Sequence, residues 1–249
     1  MAHSTGILKI EGTIEDLTFY KKDGKNYVRR KGGVSKERIA NDPNFVRTRE
    51  NGSEFGHSAS AGKMFRLAAS SMVFKAKDSQ LSSRLLQVMS RVKNLDSTSS
   101  RGERNVATGL TTVEGKLAIK GFDFNNNAPL KSVLFAPFEL DTNYGTVRID
   151  DLVPGEHLHF PQGATHFSLQ SAYLVVDFAT GISEIFYSNL VNLPINFVVS
   201  NPVMTPNGVP VAVGTKIYLF MISFYQEVND VQYSLKNESY NVLNVLEVL

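Results

Sequence analysis

The sequence of 249 residues contains no cysteine. This absence excludes disulfide bonds, thiolate catalysis and cysteine-ligated metal sites, and it fits a reducing compartment. No run approaches the roughly 18 apolar residues that a membrane-spanning helix needs, so we expect no membrane partner. The chain start, Met1 to Gly6, lacks the basic and then apolar pattern of a secretion signal. A cytoplasmic location is therefore predicted.

Motifs that mark catalytic or cofactor sites are also missing. The chain has no G-x-G-x-x-G, no Walker-type phosphate loop and no G-x-S-x-G elbow. Asp150 and Asp151 are adjacent, so a strand would turn them to opposite faces. The sequence therefore predicts a protein that is not an enzyme and that binds no cofactor.

His157 and His159 are the strongest candidates for metal ligands, because in a strand both imidazoles would project from one face. His166 could approach from the next strand, and three histidines can hold zinc. A cupin-like site would also need a glutamate soon after the pair, and Phe160 to Gly163 follow instead. We predict that these histidines belong to polar loops or sheet edges, and a metal site is the weaker alternative.

The formal net charge of +2 conceals a strong asymmetry along the chain. Residues 1–104 hold 20 lysines and arginines against 11 acidic residues, which gives +9. Residues 105–249 hold 6 against 13, which gives −7. A basic part joined to an acidic part can bind a polyanion or the acidic part of a neighbouring copy. A solvated basic face would produce the same counts.

An early β-hairpin is predicted by Asp23-Gly24, which lies between aromatic and β-branched runs. Tyr20 and Tyr27 stand among its cations, a mixture that could stack bases along a nucleic acid or protect a sheet edge with lysines. A two-stranded hairpin is marginal alone, so we expect it to pack either on helices of its own chain or on a partner. The candidate residues for binding nucleic acid or a partner are Lys21, Lys22, Lys25, Arg29, Arg30, Lys31, Lys36, Arg38, Arg47 and Arg49.

Asp42-Pro43 predicts a helix start, because the carboxylate can accept from free N–H groups and proline suits the first helical position. Further along, Gly52, Gly56 and Ser60 lie four residues apart on one helical face. Glycine inside a helix costs roughly 1 kcal/mol against alanine, so either another backbone packs closely there or the helix breaks. The close contact could be a helix crossing within the fold, a second subunit or a phosphate backbone.

Residues 43–94 are predicted to form two basic helices, and the second has an apolar stripe from Leu81 to Val92. Asn94 to Arg104 has loop composition, which places a domain boundary between residues 1–104 and residues 105–249. The second domain shows nine or ten short strands separated by turn residues, which is typical of an antiparallel β-sandwich.

The predicted fold class is therefore α+β: an N-terminal basic β-hairpin plus a helical pair, followed by an antiparallel β-sandwich. Both immunoglobulin-like and jelly-roll topologies fit the pattern. The predicted strands include Leu117–Phe124, Leu130–Pro137, Phe167–Phe178, Ile195–Val199, Val209–Val213 and Ile217–Gln226.

The polar, glycine-marked stretch at residues 31–56, KGGVSKERIANDPNFVRTRENGSEFG, resembles an uncharacterised family of bacterial proteins found mainly in Bacteroidetes. The hairpin from Gly12 to Arg30 matches the same pattern, as do Pro161–Phe167 and Phe224–Asn229. The resemblance implies a bacterial protein with a basic first half and a β-rich second half. It assigns no activity and no functional residues.

These observations favour a non-catalytic structural protein that self-assembles into a ring, shell or filament. The expected contact joins the basic N-terminal part of one copy head-to-tail to the β-sandwich of the next. The expected partner is therefore the chain itself. The alternative is a nucleic-acid-binding, capsid-like protein that uses the basic N-terminal arm.

Overall fold

The computed structural model describes residues 2–3, 10–235 and 239–249. The prediction about a secretion signal concerns residues that fall mostly outside this part. The chain divides into two compact units, Met1–Glu50 and Asn51–Leu249. The α+β class is confirmed, with an N-terminal sheet, a helical pair and antiparallel sheets that form a curled, sandwich-like region. Within the described residues, every helix is too short or too polar to cross a membrane.

The first unit consists of a small antiparallel sheet followed by short helices. Its strands lie in the order β1-β4-β3-β2. The bounds are β1 Ala2–His3, β2 Gly12–Ile14, β3 Leu17–Lys22, β4 Lys25–Arg30, α1 Lys36–Asn41 and a 3-10 helix at Pro43–Phe45, after which α2 runs over Val46–Ala68.

The second unit holds the remaining elements. Its helices are α3 Ser70–Lys75, α4 Leu81–Asn94, α5 Val106–Gly109, α6 Val113–Ile119, α7 Leu130–Val133 and α8 Pro154–His157. Its strands are β5 Glu139–Asp141, β6 Thr146–Arg148, β7 His166–Val176, β8 Ser183–Tyr187, β9 Val191–Pro194, β10 Val203–Met204, β11 Thr215–Val228, β12 Val231–Ser234 and β13 Val242–Val248.

The two predicted local signals at the N-terminus are confirmed. Asp23 and Gly24 have φ values of 50° and 77° and join β3 to β4 in a tight hairpin, as a type I′ turn requires. Asp42 caps the 3-10 helix, since its side chain accepts a 2.9 Å hydrogen bond from the Asn44 backbone N–H. Pro43 occupies the first position of that helix.

The long strands β7 and β11 form the centre of the main sheet, where they pair antiparallel over eleven residues. The other edge of β7 carries β8 and β9, and the other edge of β11 carries β13 and β12. Successive residues of β11 enter two different cores: Leu219 packs with the helices, whereas Phe220 packs with the small sheet β10-β6-β5. The central sheet is therefore buried on both faces, which explains its continuous apolar runs.

The helical layer covers one face of this sheet. Helix α4 contributes Leu85 and Met89, which are fully buried. Helix α2 contributes Phe65, whose ring makes an edge contact with Phe124 at a centroid distance of 5.2 Å. Gly62 of α2 lies where this helix contacts α4, and a Cβ there would make an ordinary van der Waals contact of 3.6 Å with the Leu85 side chain.

The boundary between the two compact units lies between Glu50 and Asn51, whereas we predicted a domain boundary between residues 104 and 105. Residues of α2, α3 and α4 share one apolar core with β7, β11 and β13. Residues 51–104 therefore belong to the same unit as the sandwich. Composition alone marked the loop at 94–104, but a polar loop can connect elements of one core as well as two domains.

Several predicted strands of the second half are wrong. Leu117–Phe124 begins inside α6, whose start is capped by the Thr112 hydroxyl as it accepts from the Gly115 N–H at 3.0 Å. Leu130–Pro137 begins with α7. Ile195–Val199 and Val209–Val213 run along the sheets without a strand of their own. These apolar runs are too short to distinguish a helical from a strand period. The backbone conformation is set instead by a capping residue or by a neighbouring segment.

Candidate interaction surfaces

The N-terminal sheet presents one apolar face. Residues directly opposite each other in an antiparallel pair lie on the same face, and the register pairs Ile14 with Leu17 and Phe19 with Val28. These four residues define the apolar sheet face. Ile14 and Leu17 remain 53% and 45% exposed, and none of the described residues from 10 to 50 is buried. Among the described residues of the first unit, none therefore covers the apolar sheet face.

The opposite side of the same sheet carries cations beside aromatic rings. Tyr20 and Tyr27 are opposite each other and stack with their centroids 5.6 Å apart. The Arg29 guanidinium lies 5.5 Å from the Tyr20 centroid. Lys22 and Lys25 are paired next to them at the hairpin turn. We call these five residues the cationic aromatic face.

The other predicted binding residues of the hairpin region lie near these faces. Lys21 projects on the side of the apolar sheet face, and Arg30 lies 3.8 Å from Asp16. Lys31 follows β4 directly, and Lys36 is the first residue of α1. All of these lysine side chains are exposed, so their charges are available to a partner.

Three predicted binding arginines have structural contacts instead. Arg38 pairs with Asp42 at 3.1 Å, and Arg47 pairs with Glu50 at 3.0 Å. Arg49 donates two hydrogen bonds, of 2.7 and 3.1 Å, to backbone carbonyls at the end of α1. The contacts of Arg38 and Arg49 hold the corner between α1 and α2, whereas Arg47 pairs within α2. The ten basic residues therefore do not form one binding surface.

The Asp42 carboxylate is the centre of that corner. The backbone N–H of Asn44 and then the Arg38 guanidinium hold the pKa of Asp42 below its usual range. The carboxylate thus serves as helix cap and ion-pair partner at once.

The small-residue face of α2 differs from its predicted role. The helix neither breaks nor crosses another helix at Gly52 and Gly56, since a Cβ added at either would meet nothing within 4 Å. Ser60 is exposed as well. The close helix contact lies instead at Gly62 against Leu85. Both intramolecular explanations for the glycines are therefore wrong, and only contact with another molecule is left from our alternatives.

The predicted metal candidates do not assemble. His157 ends helix α8, and its Nδ1 accepts from the Val153 backbone N–H at 3.1 Å, so the expected strand does not form there. His159 lines a separate cavity of about 200 Å³. His166 begins β7 and lies 3.6 Å from Glu227. Across the described ranges, no three His, Cys, Asp or Glu side chains come together as a metal site.

Two buried acidic residues in the helical layer were missed by sequence reasoning. The Glu54 carboxylate contacts the Lys93 ammonium and accepts a 2.9 Å hydrogen bond from the Gly102 N–H, and the pKa of Glu54 falls chiefly because of Lys93. Asp96 is 1% exposed and organises the loop after α4. The Glu54 partners, Lys93 of α4 and Gly102, are brought near only by the fold. Asp96 could have been recognised, because Thr98 and Ser99 follow it at the spacing of a local Asx turn.

The helical layer of the second unit also carries an open groove of about 520 Å³ between α2 and α4. Val73 and Leu81 form its buried floor, whereas Leu67 and Phe74 are 62% and 72% exposed along its walls. We call this the helical groove. The cations at its rim are Lys63, Arg66 and Lys77.

No protein-family model, curated protein or solved structure matches this chain.

Proposed function

We propose that this protein is a non-catalytic structural protein that self-assembles through its basic N-terminal part and its β-sandwich. The observation that supports this proposal best is the uncovered apolar sheet face. A small sheet gains independent stability only when an apolar face is packed against something. Ile14, Leu17, Phe19 and Val28 provide such a face, yet none of them is buried in the single chain.

The energetic gain from covering this face is moderate. Complete burial of an aliphatic or aromatic side chain contributes about 1.5–3 kcal/mol, and these four residues are already partly screened. Covering them therefore stabilises a contact by several kcal/mol, on the order of the 4–15 kcal/mol that association costs. A second, electrostatic contribution is needed for stable assembly.

The charge distribution supplies that contribution. Residues 105–249 have a charge of −7 and residues 1–104 a charge of +9. Contact between the basic part of one copy and the acidic part of the next is heterologous, so it closes into a ring or continues as a filament. Opposite potentials also accelerate such encounters and make them dependent on salt.

Light scattering coupled to gel filtration tests this proposal. At low salt and tens of micromolar protein, we expect the wild type to be larger than a monomer. Leu17→Ser combined with Phe19→Ser removes the apolar sheet face and should shift the protein towards monomer. Thr18→Ser, on the opposite side of the same strand, is the matched control and should leave the mass unchanged. A wild type that remains a monodisperse monomer contradicts the proposal.

The cationic aromatic face supports nucleic-acid binding as a second candidate function. Stacked tyrosines beside an arginine and two lysines resemble the surfaces on which single strands stack bases and pair phosphates. Fluorescence anisotropy with a labelled single strand should then show affinity that falls steeply with salt. Tyr20→Ala should weaken binding, whereas Lys36→Gln, outside this face, should change it little. Absence of binding at low salt would exclude this candidate.

A further inference from the structure

The helical groove lies in a layer whose carboxylates are already neutralised. Residues 51–94 contain seven lysines and arginines but only two carboxylates, Glu54 and Asp78. Glu54 pairs with Lys93 and Asp78 pairs with Arg84. Burial opposes the ionisation of Asp78, but hydrogen bonds from Asn126 and Gln80 and the charge of Arg84 outweigh it, so the pKa of Asp78 is lowered. Asp78 also lines the groove, but its charge is matched by Arg84, and Glu54 is matched by Lys93, so neither carboxylate balances the cations of the rim.

The cations at the groove rim are consequently uncompensated. No carboxylate in the described part of the chain lies within ion-pair distance of Lys63, Arg66 or Lys77. The Lys77 ammonium lies 5.1 Å from the ring centroid of Phe74. An apolar groove with three unpaired cations suits an occupant that combines an apolar or aromatic anchor with carboxylates on its flanks.

The chain itself carries such an element in the hairpin formed by β5 and β6. Glu139 and Asp141 both project outwards, because Leu140 between them packs against the core. Tyr144 lies in the turn and is 60% exposed. The turn is held by hydrogen bonds of 2.9 and 2.8 Å that Asp141 accepts from Asn143 and Gly145. We call this element the acidic hairpin.

The cation that lies opposite one of these carboxylates is already engaged. Arg148 lies opposite Glu139 in the register of β5 and β6. Its guanidinium donates to Asp150 at 2.7 Å. The adjacent Asp151 is exposed too, so the surface around the acidic hairpin keeps a negative charge.

We propose that the acidic hairpin of one copy docks in the helical groove of the next copy. This inference rests on the self-association proposed above and names a contact for it. Tyr144 enters between Leu67 and Phe74, in the manner of the aromatic anchors that dominate protein interfaces. The flanking carboxylates meet the cations of the rim. This pairing fixes the orientation of the hairpin in the groove and accelerates the encounter of the two copies. The groove and the hairpin are different surfaces, so the contact is heterologous and propagates.

Charge reversal on both sides tests this contact. Lys63→Glu with Lys77→Glu should weaken self-association by about tenfold or more, measured by sedimentation across a concentration series. Glu139→Lys with Asp141→Lys should do the same. When all four changes are present in one chain, the opposite charges face each other again, and association should be largely restored. Asp141→Lys removes the acceptor of the Asn143 N–H but keeps the backbone carbonyl that accepts from Gly145 at 2.8 Å. All four side chains are exposed, and circular dichroism checks that each variant is folded.

A matched control separates specific contact from net charge. Lys75→Glu with Arg91→Glu makes the same change of charge in the same helical layer, but neither residue lines the groove. These changes should leave the association constant within about twofold of the wild type.

The outcomes distinguish this inference from the proposed function. If the wild type assembles and groove reversal acts no more strongly than the control, the docking contact is wrong and self-assembly stands. If both reversals weaken assembly but their combination does not restore it, the acidic hairpin is not the occupant of the groove. A monomeric wild type overturns both proposals.

Discussion

Replacing Asp96 should destabilise the second unit more than any other single change at a loop residue. The carboxylate is buried and accepts hydrogen bonds from the backbone N–H groups of Thr98, Ser99 and Asn105 at 3.0–3.1 Å. Asp96→Ala removes all of these acceptors at once. Thr98 is exposed and can turn to water, so the cost arises mainly at Ser99 and Asn105.

The magnitude follows from those two donors. Each partly buried donor that loses its partner costs about 1–3 kcal/mol, which gives about 2–6 kcal/mol for Asp96→Ala. Asp96→Asn keeps one acceptor oxygen but turns an amide donor towards Asn105, and hydrogen bonds to a charged acceptor are the stronger ones. We expect that variant to lose about 1–2 kcal/mol.

The effect should depend on pH with a definite sign. Burial alone would raise the pKa of Asp96, but hydrogen bonds from Ser99, Asn105 and Thr98 outweigh it and hold the pKa far below its usual range. A folded-state pKa below the unfolded one contributes stability that is fully present above the unfolded pKa of about 4 and is lost as pH falls below it. The difference between wild type and Asp96→Asn should therefore be largest near pH 7 and shrink below pH 4.

Urea unfolding followed by circular dichroism or tyrosine fluorescence measures this, since the chain has nine tyrosines and no tryptophan. Ser97→Ala changes the neighbouring exposed residue and serves as a control that should cost less than about 0.5 kcal/mol. If Asp96→Ala costs no more than this control, or if its effect is the same at pH 3 and pH 7, the loop does not depend on the carboxylate.

Two further predictions concern the helical layer. Gly109→Ala should prevent stable folding, because the new Cβ would lie 2.1 Å from the Val92 carbonyl oxygen. Gly56→Ala should instead raise the unfolding free energy by about 1 kcal/mol. A lower unfolding free energy for Gly56→Ala would contradict an open helix face. Lys93→Met should lower the unfolding free energy by about 3–5 kcal/mol, since it leaves the Glu54 carboxylate buried without its cation. Thermal unfolding of this variant, with and without Glu54→Gln, checks whether neutralising the carboxylate recovers stability.

Local signals in the sequence were sufficient to predict hairpin turns and helix starts. Asp23-Gly24 was identified as a hairpin turn, and both residues have positive φ in the structure. Asp42-Pro43 was identified as a helix start, because cap and first turn are only a few residues apart. Such elements depend on side chains that adjoin along the chain, so their interactions can be recognised from spacing alone.

The sequence predicted the available binding residues only in part, because their availability depends on contacts between residues that are distant along the chain. Arg38 and Arg49 look like surface cations in the sequence, yet they hold the corner between α1 and α2. Lys77 was counted only as a contributor to a basic helical pair and Lys63 was not singled out, yet both line an apolar groove. Counting charged residues gives the net charge of a segment. The charge of a binding surface depends instead on which of those residues pair with others within the fold.

The sequence by itself determined the α+β class, the hairpin and helix starts, and the separation of charge between the two halves of the chain. These properties reside in composition and in contacts between near neighbours. Only the tertiary structure decided that the helical pair and the sandwich share one core, because burial joins Phe65 to the face of β11 that carries Leu219. Only the tertiary structure showed which apolar faces remain uncovered, since burial is a property of segments that are distant along the chain.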